Sequence, residues 1–332
     1  MGDGSLKRLT ALLLLLALLC GCAPTTSLDV SDRAPEESRR LILFSCLEES
    51  VTLDLVKEFE ERTGIWVQVE CGCAPELLAR IAEDTGCCEL ILGCGADTLE
   101  ANREFFRPCP LPEGTVLTEG CPTGEVWVPV SLGALVIVYN PKLVRLNLPT
   151  GWASLLDPAW QGKIAFADPE SSGFSRTALF ALTRIFPDSD PEALLAAFAG
   201  QLPVLLEDAR EAVQRVADGS FCLAVVPEDA ALSGMGAGRD LSIVYPAEGT
   251  CLAPDCAAIP NDCSHPDNAL AFVAFLLGDD ALNRAWDSHT RRPVLSGLVS
   301  FPEGSLMLDP ASAGQTQREL LALWAKIWEA TP

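Results

Sequence analysis

The stretch DPESSGFSR, from Asp168 to Arg176, sets Ser171, Ser172, Gly173 and Ser175 where a loop enters the apolar segment TALFALTRIF. Serine hydroxyls and free backbone N–H groups at the positive end of a helix dipole are the donors that make a seat for an anion. Arg176 adds a cation that could pair with such an anion. The same residues have plainer uses, with Ser172 or Ser175 capping the helix and Arg176 held in a surface ion pair. Other residues offer the same kind of polar contact. Ser45 closes the apolar run LILFS, where it either donates to a ligand or caps the next helix. Gly95 and Ala96, in GCGADT, let backbone come close to a ligand or simply make a tight turn. Ser131 is a further candidate contact, set in the long apolar stretch GEVWVPVSLGALVIVYNPKLV. Glu228 and Asp229 follow an apolar strand and open a helix, where acids complement the dipole or bind an ammonium group.

Catalysis has little to stand on. There is no Gly-x-Ser-x-Gly elbow, no His-Glu-x-x-His pair and no phosphate-binding P-loop, and the histidines are His265 and His289. GMGAGRD has spaced glycines but follows a helix-like segment rather than a strand, so it is no dinucleotide fingerprint. No enzyme activity and no resident cofactor or metal is expected. Of the 14 cysteines, Cys46, Cys88 and Cys222 fall in strand-like runs where the thiol acts as a small hydrophobe. Cys71/Cys73 and Cys87/Cys88 are not Cys-x-x-Cys knuckles, although cysteine-based metal or redox chemistry stays an alternative. Disulfides are permitted outside the cytosol, and their pairing is open.

The elements that must position these residues alternate from residue 41. LILFSC reads as a strand; EESVTLDLVKEFEERTG reads as a helix with Val51, Leu55, Val56 and Phe59 on one face and Gly64 as its stop. IWVQVE, PELLARIAEDTG and CELILG continue as strand, helix and strand, a βαβαβ rhythm that predicts a mostly parallel sheet covered by helices. Such sheets bind ligands beyond the strand C-termini, here in the loops SCLEES, CGCAPE and GCGADT. The stretch around Ser131 is too long for one ordinary strand and reads as a crossing between two lobes, with LSIVYPAEGTCLAPDCAAIP as the return. We therefore expect one lobe from 41–132 and 250–289, a second from 133–249 and 290–332, and a cleft between them.

Near the start of the sequence Lys7 and Arg8 precede an apolar run from Leu9 to Leu19, which Gly21 and Cys22 close. The run is shorter than the roughly 20 residues a membrane span needs, so 1–22 reads as an export signal. Residues 23–40 read as a polar, flexible tether. A formal charge of −23 argues against nucleic acid or an anionic membrane surface as partner, but not against a small anion held by local donors.

Taken in order, GADTLE, WVPVSLGALVIVYNP, WASLLDPAWQGKIAFADPESSG, AVQRVADGSFCLAVVPEDAA, VYPAEGTCLAPDCAAIP, HPDNALAFVAFLLG and TRRPV resemble the solute-binding proteins of ABC transporters, in the branch that includes ferric-iron and 2-aminoethylphosphonate binders. Leu19-Cys20-Gly21-Cys22 likewise resembles a bacterial lipobox, which implies lipidation at Cys22 and anchoring to the outer face of the cytoplasmic membrane. The resemblance implies an α/β, two-lobed periplasmic-binding-protein-like (type II) fold, two mixed sheets flanked by helices and an inter-lobe cleft. It further implies a monomer that closes on a solute and hands it to ABC permease subunits, with the loop at Glu228 and Asp229 facing the cleft and Arg291 and Arg292 structural. Iron-binding relatives use several tyrosines, whereas this chain has Tyr139 and Tyr245, not adjacent. The expected ligand is thus a small anionic solute, a phosphonate or organophosphate, with ferric ion as the alternative.

Overall fold

A computed structural model of the protein describes residues 36–84, 86–278, 291–298, 304–307 and 310–331, with backbone alone for 310–317. Cys22, most of the expected tether, and the expected crossing at Thr290 lie outside the described residues. Glu37–Pro332 form one compact unit.

The first sheet grows from β1 (Arg40–Ser45), β2 (Trp66–Cys71) and β3 (Leu90–Gly95), parallel and in the order β2-β1-β3. Between them run α1 (Glu49–Thr63) and α2 (Ala74–Glu83). α1 buries Val51, Leu55, Val56 and Phe59 and stops at Gly64, whose φ of 68° is open to glycine at little cost. α3 (Ala96–Ala101) starts directly where β3 ends. β8 (Cys251–Ala258) lies antiparallel to β3, with a register shift beside Gly93. Gly93 has φ +83°, and a Cβ there would stand 2.7 Å from the Leu47 side chain.

β4 (Trp127–Tyr139) is the link between sheets. Its residues Trp127 to Ala134 pair with β8 in the first sheet. Its residues Leu135 to Tyr139 pair with β6 (Leu223–Pro227) in the second, where β7 (Ser242–Val244) also joins its edge. β5 (Ile164–Ala165) adds in parallel to β6. Helices α4 (Gly173–Ile185), α5 (Pro191–Ala199), α6 (Ala209–Ala217) and α7 (Glu228–Gly236) complete the second lobe. Each lobe has its own apolar core. Phe59 and Phe272 meet at 4.6 Å between ring centroids in the first, with Phe272 carried by α8 (Pro266–Leu276). In the second, Phe166 and Phe198 meet edge to face at 5.1 Å. Burying a ring of this size contributes about 1.5–3 kcal/mol.

The segment 290–332, expected in the second lobe, divides. β9 (Arg292–Pro293) pairs with Ser131 and Leu132 of β4, and Val294 and Leu295 pack into the first core. β10 (Leu306–Met307) likewise joins β8 in the first sheet. The last helix, α9 (Pro310–Ala330), places Leu320, Trp324 and Ile327 in the second core and also runs against α3 of the first lobe. Two-residue strands carry too little periodicity to be assigned a side by pattern. Among the described residues no helix is long and apolar enough to cross a membrane.

Candidate functional site

A cavity of about 220 Å³ opens between the lobes at the strand C-termini. The first lobe supplies Cys46 after β1, Cys73, Ala74 and Pro75 at the start of α2, and Gly95, Ala96, Asp97 and Thr98 at the start of α3. The second supplies Ser171, Gly173, Phe174, Arg176 and Thr177 at the start of α4, and β8 contributes Ala253, Pro254 and Asp255. The N-terminal ends of α2, α3 and α4 therefore meet at one cavity. Each end presents backbone N–H groups without intrahelical acceptors, and the partial positive charge of a helix terminus.

At α4 the Ser172 hydroxyl accepts the Ser175 N–H at 3.3 Å, so Ser172 is the helix cap. Its side chain borders an adjoining cavity, together with Glu207, Asp208 and Asp229. Gly173 and Phe174, in the first turn, line the main cavity. Ser171 borders both cavities and directs its hydroxyl to the Asp168 and Glu207 carbonyls, at 3.2 and 3.3 Å. Arg176 donates from Nη1 to the Pro169 and Glu170 carbonyls at 3.1 and 3.3 Å, which holds its guanidinium across the loop. Ser172→Ala should cost about 1 kcal/mol of stability through the lost cap, read as a lower thermal midpoint; an unchanged midpoint would remove the cap assignment.

Of the expected contacts, Gly95, Ala96, Ser171, Gly173 and Arg176 line the main cavity, and Ser45, Ser131, Ser172, Ser175, Glu228 and Asp229 do not. Ser45 is fully buried, sharing a 2.7 Å hydrogen bond with the Thr52 hydroxyl and accepting the Leu47 N–H. It ties β1 to α1. Ser175 is buried against α4's own surroundings. Ser131 donates to Asp255 Oδ2 at 2.7 Å. Glu228 is 4% exposed and bound to Arg292 at 2.8 Å, and also accepts from Tyr245. Asp229 pairs with Arg291 at 2.9 Å. Arg291 also pairs with Asp255, so first-lobe arginines from 291–292 hold the second-lobe acids Glu228 and Asp229 across the hinge. Burial pushes the Asp255 carboxyl up from its ordinary range, with Arg291 and Ser131 opposing. Arg291 is pushed up in turn by Asp255 and Asp229, against the effect of its burial.

Residues 109–309, more than half of the chain, match the family described as bacterial extracellular solute-binding protein. The chain belongs to this family. Its fold matches the periplasmic binding protein AfuA from Actinobacillus pleuropneumoniae, solved with exogenous fructose-6-phosphate bound, at TM-score 0.75 and 16% identity over 87% of this chain and 98% of that one. It also matches iron-bound HitA from Pseudomonas aeruginosa at TM-score 0.74 and 20% identity, over 87% and 99%. At these identities the likeness shows the two-lobed fold. The spermidine/putrescine-binding periplasmic protein of Escherichia coli (strain K12) is 26% identical over 164 residues, 48% of this chain and 47% of its own. The chain thus spans about half the length of the curated relatives it matches.

In this solute-binding protein neither tyrosine lines the main cavity. Tyr139 packs at the end of β4 against the second core, and the Tyr245 hydroxyl, pushed up to about 12 by burial and Glu228, is engaged with that acid. Among the described residues no group of three or more His, Cys, Asp or Glu could hold a metal ion. Partial burial and the neighbouring Glu76 push the Cys73 thiol up, and as a thiol it offers a weak donor at most. Sequence reasoning named the loops that border this cavity but not Cys46, Cys73, Asp97 and Thr98 within them, nor Phe174, Thr177 and Asp255 elsewhere in its wall. For the first group the signal was the strand C-terminal rule; nothing in the pattern LAPDCAA marks Asp255.

Proposed function

We propose that the protein is the receptor of an ABC importer, and that its cleft takes a small oxyanion, a phosphonate or organophosphate, for delivery to permease subunits. The observation that carries this reading is the meeting of the α2, α3 and α4 N-termini with Arg176 at one cavity that has no tyrosine in its wall. Ser171, Gly173 and Arg176 on one lobe and Gly95 and Ala96 on the other are the proposed contacts. A hydrogen bond to a charged group contributes about 1.5–3 kcal/mol, so three or four such donors reach micromolar affinity, near −8 kcal/mol, when the loops are held in place beforehand. Closure of the two lobes about β4 and β8 by hinge motion would bring these donors onto the solute. The receptor acts as a monomer and without catalysis. The reading is tested by a thermal-shift panel of phosphonates, phosphate esters, ferric complexes and polyamines. Stabilisation by the oxyanions alone is expected, since a tight ligand raises the midpoint by mass action; stabilisation by ferric complexes or by polyamines alone would overturn it.

The same proposal places the protein outside the cytosol, lipidated at Cys22 and tethered to the outer face of the cytoplasmic membrane. Cys22→Ala should move the exported protein from the membrane to the soluble fraction. Retention of the variant on membranes would contradict the anchor.

A further inference from the structure

Cys46 and Cys94 sit in the wall of the cleft, at the C-terminal ends of neighbouring parallel strands. Ser45 of β1 pairs with Leu92 of β3, and the Cys46 N–H donates to the Leu92 carbonyl at 2.8 Å. Their sulfurs stand 3.1 Å apart, closer than two unbonded sulfurs normally rest. Among the described residues no other pair of cysteines makes such a contact. Cys256 lies directly opposite Cys94 in the antiparallel register, but its thiol is directed to the Pro254 carbonyl at 3.7 Å. Cys94 is buried and Cys46 partly exposed, so an approaching reagent meets Cys46 first. The hydrogen bond with Cys46, together with burial, pushes the Cys94 thiol well above the ordinary thiol range.

We propose that Cys46 and Cys94 are an oxidisable pair that closes a disulfide across β1 and β3 in the wall of the cleft. The oxidant is a small-molecule disulfide, of the kind an extracytoplasmic compartment leaves intact. Cys46 loses its proton to solvent, and its sulfur attacks the reagent's disulfide, releasing one thiolate and leaving a mixed disulfide. Cys94 then loses its proton and attacks the Cys46 sulfur, releasing the second thiolate. Both released thiolates take up a proton, so two protein thiols are oxidised as one reagent disulfide is reduced. The bond fixes the spacing of the loop that leads into α1 and of Gly95 and Ala96 at the start of α3. It sets the first-lobe wall whatever solute the cleft takes.

The test uses the full chain without any ligand. Protein treated with oxidised glutathione is quenched with N-ethylmaleimide, digested without reductant and mapped by mass spectrometry, beside a sample reduced with a phosphine. A peptide pair linked through Cys46 and Cys94 is expected, along with a thermal midpoint about 5 °C or more above the reduced protein, because the link closes a long loop in the unfolded chain. Cys46→Ala and Cys94→Ala should each lose the linked pair and the rise. Alkylation of both cysteines in the oxidised wild-type sample, or a disulfide joining either one to a different cysteine, overturns the proposal. Should a variant fail to fold, the wild-type peptide map still decides.

Discussion

Arg291→Met will destabilise the protein by about 3–5 kcal/mol at neutral pH, because it strips the cation from two carboxylates that stay behind in the interior. Arg291 and Asp255 are 9% and 6% exposed, and Asp229 completes the cluster from the second lobe. Methionine fills much of the same volume, so the loss reports charge compensation more than packing. The deficit depends on pH with a definite sign. Burial raises the Asp255 carboxyl in the folded protein, so this group's contribution to stability is complete below about pH 4 and is lost as pH rises through its folded pKa. Without Arg291 that folded pKa moves further up and the penalty at neutral pH deepens. Urea unfolding at pH 7.5 and pH 5 should therefore show a deficit that shrinks on acidification, and adding Asp255→Asn to the variant should recover part of it. A loss below about 1 kcal/mol at pH 7.5, or a deficit that grows in acid, would mean that Arg291 does not hold this cluster together.

Gly173→Asp should leave the fold intact and weaken oxyanion binding by about 100-fold or more, equivalent to about 2.7 kcal/mol. Gly173 is the first residue of α4 and lines the main cavity. A Cβ there would stand 3.4 Å from Arg176 Nη2 with nothing nearer, so the site has room for a side chain. A carboxylate in the first turn complements the helix dipole, by about 0.3–1 kcal/mol, and the helix gains by losing a glycine. The same carboxylate takes the place proposed for the solute's anionic group, draws Arg176 to itself and repels the ligand. Gly173→Ala is the control, with stability kept and affinity changed little. Calorimetry on both variants, after thermal unfolding confirms that each is folded, separates the effects. Undiminished anion affinity in Gly173→Asp would place the ligand elsewhere.

The parts of this architecture that repeat locally were legible in the sequence. Val51, Leu55, Val56 and Phe59 mark a helix face at spacings of three and four, and β1 and β3 read as apolar runs because inner parallel strands are covered on both faces. From that rhythm the strand C-terminal loops followed, and with them Gly95 and Ala96 at the cavity. Capping chemistry is local as well, yet it is ambiguous: a serine before a helix reads alike whether it caps, as Ser172 does, or holds a ligand. Contacts between distant segments leave no such trace. Asp255 meets Arg291 and Ser131 only after the chain has crossed between lobes, across separations of 36 and 124 residues. Ser131 and Asp255 sit in otherwise apolar strands, so periodicity marks them as interior without naming their partner. The same holds for Cys46 and Cys94, which are 48 residues apart in sequence and in contact in the fold.

Titration calorimetry of the wild-type protein with a phosphonate and a phosphate monoester tests the central claim most directly. The account predicts saturable one-to-one binding at about micromolar affinity for at least one of them, without turnover, and loss of that heat in Gly173→Asp. Silence with both oxyanions, together with saturable heat from a ferric complex or from spermidine, would contradict it.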